Sequence, residues 1–278
     1  MRLWGLAAPA LMREFAANVA MGIAPIRRRR LLGLRTGSSD RDREVDKLVA
    51  EFDFLLDSAG SIRGQTLVEI GPGDAIGLAP LFISAGAARY VAIDRFLGDA
   101  WGARAEALYA AIEKRRGPFA PDWRQRVSLI SHSIEQLPPM EPIADLIVSF
   151  DVVEHLADVR VAVNRMASLL KPHGRMVHRV DYGPHGVWVS TLDPLSFLGV
   201  PDWLWSAIGS NRGYPNRVRH AQLVEFLRKQ NLQIAERITR RHAGDVLDAE
   251  LRCGFEGGGE LGRPFTLDGT DTHSVCAG

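Results

Sequence analysis

The chain has 278 residues, of which 46% are hydrophobic, 24% charged and 8% aromatic. That balance excludes a disordered chain, which would carry fewer large apolar residues and more uncompensated charge. Lys and Arg number 34 against 33 Asp and Glu, so the net charge is +1, and nucleic acid is not an expected partner. Two cysteines, Cys253 and Cys276, make neither a disulfide framework nor a four-ligand zinc site, and no run of ~18 apolar residues reads as a membrane span. A cytoplasmic protein is expected.

In chain order, Met1 to Met12 is short and apolar in the manner of a signal peptide, but Arg13 and Glu14 interrupt it. Met12, Phe15, Val19, Ile23 and Ile26 recur at helical spacing and predict a helix with one apolar face. Pro25 ends or bends it, and the basic run Arg27 to Arg30 follows. Two uses fit such a helix. The commoner one is cover for a core; the other is a peripheral contact with anionic lipid at the inner membrane face. Thr36 to Asp40 is a turn-rich linker in which Ser39 and Asp42 resemble a capping box, and Val45, Leu48, Val49, Phe52, Leu55 and Leu56 stripe the next helix.

After Gly60 the pattern alternates. Strands are predicted at Thr66–Ile70, Tyr90–Ile93, Val127–Ile130, Ala144–Phe150 and Arg175–Val180. Helices are predicted at Leu78–Ala85, over Trp101, Ala105, Leu108 and Ile112, and over Val159, Val163, Met166 and Leu170, the last stopped by Lys171-Pro172-His173-Gly174. Such alternation implies βαβ units: an α/β fold with a doubly wound, mostly parallel sheet. Tyr182 to Arg219 breaks the rhythm, is rich in Gly, Pro and Trp, and is too long for an ordinary connection; it predicts an inserted lid over the carboxyl ends of the strands. A helix at Ala221–Lys229 and a strand at Leu232–Ile238 follow, and the glycine-rich stretch from His242 to Gly278 resists assignment. On this reading residues 1–40 are a helical arm and linker, and residues 41–278 one domain with a lid at about 182–219.

The sharpest motif is Val68-Glu69-Ile70-Gly71-Pro72-Gly73-Asp74-Ala75-Ile76-Gly77, a strand running into a glycine turn and a helix. Glycines let a backbone approach a ligand closely, and Asp94, 21 residues after Gly73, ends the second strand where a carboxylate can accept from two ribose hydroxyls. Two cofactors compete for this geometry. A dinucleotide fingerprint wants glycine at the sixth position from Gly71, where Ile76 stands. Glu69, close by, would repel a pyrophosphate but welcome an amine or a cation. The charge argument therefore favours S-adenosylmethionine over NAD.

On these residues the chain resembles the class I S-adenosylmethionine-dependent methyltransferases, which have a Rossmann-like fold. Glu69-Ile70-Gly71-Pro72-Gly73 is similar to their first motif, with Ala75 where a third glycine is usual, and Asp94 matches the acid that holds the ribose. Ser131 to Pro138 resembles the segment bordering the adenine, with Ser133 where Asp is common. Asp145 to Leu156, with its trailing Glu154-His155-Leu156, resembles the fourth-strand motif, and Leu169 to Gly174 resembles the helix end before strand five. The resemblance implies that Glu69, Gly71, Gly73, Asp94, Ser133, Ile134 and Phe150 bind S-adenosylmethionine. It also implies an acceptor above strands four and five.

There the run His178-Arg179-Val180-Asp181-Tyr182-Gly183-Pro184-His185 collects two histidines and a carboxylate, with His178 and Val180 on one face of the strand and Arg179 and Asp181 on the other. His185, oriented by Asp181, is a candidate general base for a hydroxyl; alternatively Asp181 and His185, with His155, hold a divalent metal, or the histidines are structural. No resident metal is assigned. Ser210 to Arg219 resembles a stretch in a branch of these enzymes associated with glycan biosynthesis; it reads as a loop for a sugar, carboxylate or phosphate, or as a surface turn. Trp188, Trp203 and Trp205 stack on an acceptor or fill a core. The expected activity is methyl transfer to a hydroxyl of a small-molecule or sugar acceptor, with an NAD(P)-dependent oxidoreductase and an RNA methyltransferase as rivals.

Overall fold

Seven strands pair into one sheet. The structure, a computed structural model, describes residues 2–3, 6–23, 41–73, 75–95, 97, 100–211 and 213–255. After the short pair Arg2–Leu3 and Leu6–Ala7 comes helix α1, Ala8–Ile23, and then α2, Arg41–Ala59. The alternating part runs β1 (Thr66–Ile70), α3 (Ala79–Ser84), β2 (Arg89–Ile93), α4 (Ala103–Arg116), β3 (Val127–Ile130), β4 (Ala144–Phe150), α5 (Val159–Leu169) and β5 (Leu170–Asp181). The chain continues with α6 (Asp202–Gly209), α7 (His220–Arg228), β6 (Leu232–His242) and β7 (Asp245–Phe255). The strand order is β3-β2-β1-β4-β5-β7-β6. All neighbours from β3 through β5 are parallel, and β7 runs antiparallel between β5 and β6.

The sheet order puts the ends of β1 and β4 side by side at the reversal between β1–β2–β3 and β4–β5. In open α/β sheets that is where ligands bind. Successive residues of β1 face opposite sides: Leu67 packs with Phe52, Phe82, Tyr90 and Ile112, while Val68 and Ile70 pack with Ile134, Ile147, Val163 and Leu223. Each such large apolar side chain, fully buried, contributes about 1.5–3 kcal/mol. Local signals set the helix ends. Asp158 caps α5 by accepting from the Val161 N–H at 2.9 Å, and α4 carries Lys114, Arg115 and Arg116 in its last turn before Gly117, whose φ of +96° stops the helix.

Three expectations are corrected. Strand β5 begins at Leu170, not Arg175: Leu170 pairs with Ala144, the register shifts between Ala144 and Leu146, and the regular ladder starts at Arg175. The stretch beyond His242 holds a full strand, β7, between β5 and β6; Leu247, Ala249, Leu251 and Cys253 alternate there with Asp248, Glu250 and Arg252, a period-two pattern in a stretch that resisted assignment. The remaining tail, 256–278, lies outside the described residues. Helix α1 turns its predicted apolar stripe outward. Met12, Phe15 and Val19 are 67%, 44% and 42% exposed, whereas Leu11, Glu14 and Asn18 are buried. Ile26 and the Arg27–Arg30 run lie outside the described residues.

Helix α1 packs on the lid. Leu6 and Leu11 join Trp188, Phe197, Val200, Trp205 and Ile208 in a separate apolar cluster. Polar contacts fasten it: Asn18 Nδ2 donates to Ala207 O at 2.9 Å, Asn211 N–H donates to Asn18 Oδ1 at 2.7 Å, and the Tyr214 hydroxyl donates to Glu14. Among the described residues, no helix is long and apolar enough to cross a membrane.

Candidate active site

The end of β1 builds one half of the site. Gly71 has φ +74°, donates its N–H to Ile93 O at 2.9 Å, and lies so close to Val152 that a Cβ would sit 2.6 Å from its methyl groups. Gly73 has φ +80°, and a Cβ there would meet nothing within 4 Å, so its backbone borders open space. Its N–H donates to Asp94 Oδ2 at 2.8 Å, bringing the glycine turn and the acid at the end of β2 together.

Glu69 is buried on β1, where the Tyr90 hydroxyl donates to its Oε2. Burial raises the Glu69 pKa to about 8; the Tyr90 hydrogen bond opposes this, and the charges of Glu51 and Asp94 add to it. A carboxyl in that state gains from a cation brought beside it. Ser133 precedes the short turn Ile134–Gln136 after β3, and the Ile134 side chain is buried in the core. Phe150, at the end of β4, sits edge-on to Phe54 with centroids 6.4 Å apart and lies 5.3 Å beneath the Arg179 guanidinium.

The other half rises from the ends of β4 and β5. Asp151 takes a left-handed φ of +53° and is held bidentately by Arg179 at 3.0 and 2.8 Å and by Lys47 at 3.2 Å. Arg179 also reaches Glu51 at 2.6 Å, which ties α2 to both strands. Burial pushes the Asp151 pKa up, but the hydrogen bond and charge of Arg179, with Lys47, overcome that and leave it lowered. Three hydrogen bonds from two cations thus hold a non-glycine residue at positive φ.

Next comes the short helical turn Val153–His155. Asn216, from the lid, locks it: its N–H donates to Glu154 O at 2.6 Å, and its Nδ2 donates to Val153 O at 2.8 Å and Leu156 O at 3.0 Å. Glu154 is 3% exposed, and neither carboxylate oxygen has a hydrogen-bond partner. Burial holds its pKa well above the usual range; the backbone N–H groups of Glu154 and Asp181 ease the charge without completing a hydrogen bond. His155 is exposed. Desolvation of its ring, then the neighbouring His185, lower its pKa to about 4.

The rings of His155 and His185 are 4.9 Å apart, and His185 Nε2 is 3.5 Å from Asp181 Oδ2. Asp181 accepts from the Gly183 N–H at 2.7 Å and from Arg240 at 3.3 Å. The predicted trio His155, Asp181 and His185 thus shares one place. His178 does not join it. It is 1% exposed within the sheet, its Nδ1 is 2.7 Å from Ser149 Oγ, and burial lowers its pKa to about 4. Glu154 and Asp151 were missed as site residues, although a polar pair three apart within Asp151-Val152-Val153-Glu154 was a visible signal.

The polar loop from Ser210 to Arg219 serves the fold. Arg217, at φ +67°, bonds Val200 O and Asp202, and Arg219 bonds Asp245 Oδ2, Tyr182 O and Val246 O at 2.6–2.9 Å. Of the two readings of this loop, the bonds of Arg217 and Arg219 favour the structural one; Arg212 lies outside the described residues. Trp188 and Trp205 fill the lid's core and Trp203 is exposed.

A glycine turn, a facing acid at the end of β2, and this strand order define a nucleotide-cofactor site on a Rossmann-like sheet. A family model described as a methyltransferase domain matches residues 38–236. The chain belongs to that family, the class I S-adenosylmethionine-dependent methyltransferases, and its cofactor is S-adenosylmethionine. The NAD(P) rival falls with that. Among solved structures, the chain is similar to an S-adenosylmethionine-dependent methyltransferase from Mesorhizobium loti (13% identity, 73% of this chain and 97% of that one, TM-score 0.49). It is also similar to the YcgJ protein from Bacillus subtilis (16% identity, 74% and 97%, TM-score 0.48). A third likeness is to phosphoethanolamine N-methyltransferase 2 from Haemonchus contortus, in complex with S-adenosyl-L-methionine (14% identity, 74% and 52%, TM-score 0.49). No curated protein matches the chain in sequence.

Proposed function

We propose that this methyltransferase acts on a hydroxyl oxygen of a small-molecule or sugar acceptor held over the carboxyl ends of β4 and β5. The observation that carries the reading is the cluster of His155, Asp181 and His185 beside the cofactor turn, with Gly71 packed on Val152 only three residues before His155. S-adenosylmethionine supplies an electrophilic methyl group on a sulfonium. Glu69, Gly71, Gly73 and Asp94 would hold it, with Ser133, Ile134 and Phe150 along its adenosine side. The fit is physical: a buried carboxyl for a cation, open space at Gly73, and an acid at the ribose position.

A hydroxyl is a poor nucleophile until its proton is taken, whereas a neutral amine needs no such help. A cluster of imidazoles backed by a carboxylate suits the first case. Asp181 steadies His185, and on this reading the two rings serve the acceptor. The test is a panel of sugars and small hydroxyl compounds with labelled cofactor, the product site being read by mass spectrometry and NMR. Transfer to oxygen is expected. Transfer to nitrogen or carbon, or to RNA in a salt-sensitive manner, overturns the reading.

The outward stripe of α1 favours one more contact. Met12, Phe15 and Val19 lie on one exposed flank, and Arg27 to Arg30 follow in the chain, a combination suited to lying on anionic lipid at the inner membrane face.

A further inference from the structure

We infer that Glu154, His155 and His185 form a binding site for one divalent transition-metal ion on the acceptor side of the cleft. One ligand atom from each of the three lies within 4.8 Å of the others. Ligands at about 2.0–2.2 Å from a common ion stand roughly 3–3.5 Å apart, so small ring and carboxyl rotations complete the site. Two imidazoles and a carboxylate suit zinc, manganese, iron or cobalt; magnesium and calcium prefer all-oxygen shells.

A second observation is independent of that proximity. Glu154 is 3% exposed and both its oxygens are unpartnered, although buried carboxylates are almost always bonded. The charged side chains that act on Glu154 are those of Asp151 and Asp181, both acids. A cation between the carboxylate and the two rings is the partner this geometry lacks.

The surroundings behave as an outer shell. Asp181, 3.5 Å from one ring nitrogen of His185, can orient that ring and leave the other nitrogen for the ion. Asn216 fixes the backbone that carries both Glu154 and His155. Three protein ligands leave a position open for an acceptor oxygen. This use of the open position rests on the hydroxyl-transfer reading and specifies how the cluster acts; the binding of the ion does not depend on it.

The test is Co2+ titration of the chelator-stripped full-length protein, read by visible absorption and by calorimetry. One equivalent is expected to bind, with ligand-field bands of a nitrogen- and oxygen-ligated ion, and Zn2+ is expected to displace it. Glu154→Gln and His185→Ala are expected to weaken binding at least ~10-fold, while Asp94→Asn leaves it unchanged. Absence of saturable uptake, or undiminished uptake in both variants, overturns the proposal. Should a variant fail to fold, pulsed EPR of Cu2+ on the wild-type protein reads the ligands directly: coupling to two imidazole nitrogens is expected, and fewer overturns the site. Product analysis keeps the two readings apart. Oxygen methylation without ion uptake sinks the metal site alone, and ion uptake with nitrogen methylation sinks the hydroxyl reading alone.

Discussion

The two halves of the site are built in opposite ways. The half proposed for the cofactor comes from contiguous or regularly spaced segments: Glu69 lies on β1, Gly71 and Gly73 on the turn after it, and Asp94 at the end of the next strand. The acceptor half gathers Glu154 and His155 from the end of β4, Asp181 and His185 from the end of β5, and Asn216 from the lid. Backbone geometry dominates the first and side-chain placement the second. A turn that must hold left-handed glycines constrains the sequence directly; a side-chain cluster constrains only distances between remote residues.

That contrast is sharpened most by His185→Ala. It is expected to lower kcat about 100- to 10,000-fold in a turnover assay while S-adenosylhomocysteine affinity by calorimetry stays within a few-fold. Equal losses in both would erase the division between the halves. Next is Gly71→Ala, where a left-handed φ and the 2.6 Å approach to Val152 act together. A loss of about 2–4 kcal/mol in urea unfolding is expected. Gly73→Ala, facing open space, should cost less stability but still weaken cofactor binding.

A smaller effect follows from Glu69. Its folded pKa of about 8 lies above the ordinary carboxylate value, so the native state holds a proton that the unfolded chain has lost. Its stabilising contribution is complete below about pH 4.5 and declines as pH rises towards 8. The Tm of the wild type should therefore fall across that window relative to Glu69→Gln. A bound cation favours the ionised form, so affinity for S-adenosylmethionine should rise with pH over the same range, and parallel profiles for the two proteins would refute this. Asn216→Ala removes two hydrogen bonds to the Val153–His155 turn. It should cost about 1–2 kcal/mol and lower kcat more than cofactor affinity. Smallest is the flank of α1: Met12→Ser with Phe15→Ser should reduce co-sedimentation with anionic vesicles severalfold without changing turnover on a soluble acceptor, and unchanged sedimentation would end the lipid reading.

Much of the frame was legible because parallel strands and their crossover helices carry strong local patterns. Thr66–Ile70, Val127–Ile130 and Ala144–Phe150 form at the predicted residues, and the Asp94–Gly73 contact follows from the spacing of two strand ends. Elsewhere periodicity misled. In α1 the apolar stripe lies outward while Glu14 and Asn18 face the lid, because Tyr214, Ala207 and Asn211 supply hydrogen bonds that make polar burial favourable. The loop of Arg217 and Arg219 was open between ligand binding and a surface turn, and both side chains bond backbone carbonyls and acids of other elements. Strand β7 did carry a local signal, the alternation of Leu247, Ala249, Leu251 and Cys253 with Asp248, Glu250 and Arg252; its place between β5 and β6, with Glu250 opposite Arg179 and Arg237, is tertiary.

By itself the sequence determined the parallel α/β frame, the glycine turn, the acid at the end of β2 and the cofactor class. All of these are properties of local backbone geometry and spacing. Only the tertiary structure decided that His178 is a buried sheet residue, that Glu154 joins His155 and His185, and that α1 and the lid share one core. Those outcomes depend on contacts across 30 to 200 positions of chain, such as His155 with His185 and Glu14 with Tyr214. No local pattern encodes such contacts; they exist only once the sheet has brought its strand ends together.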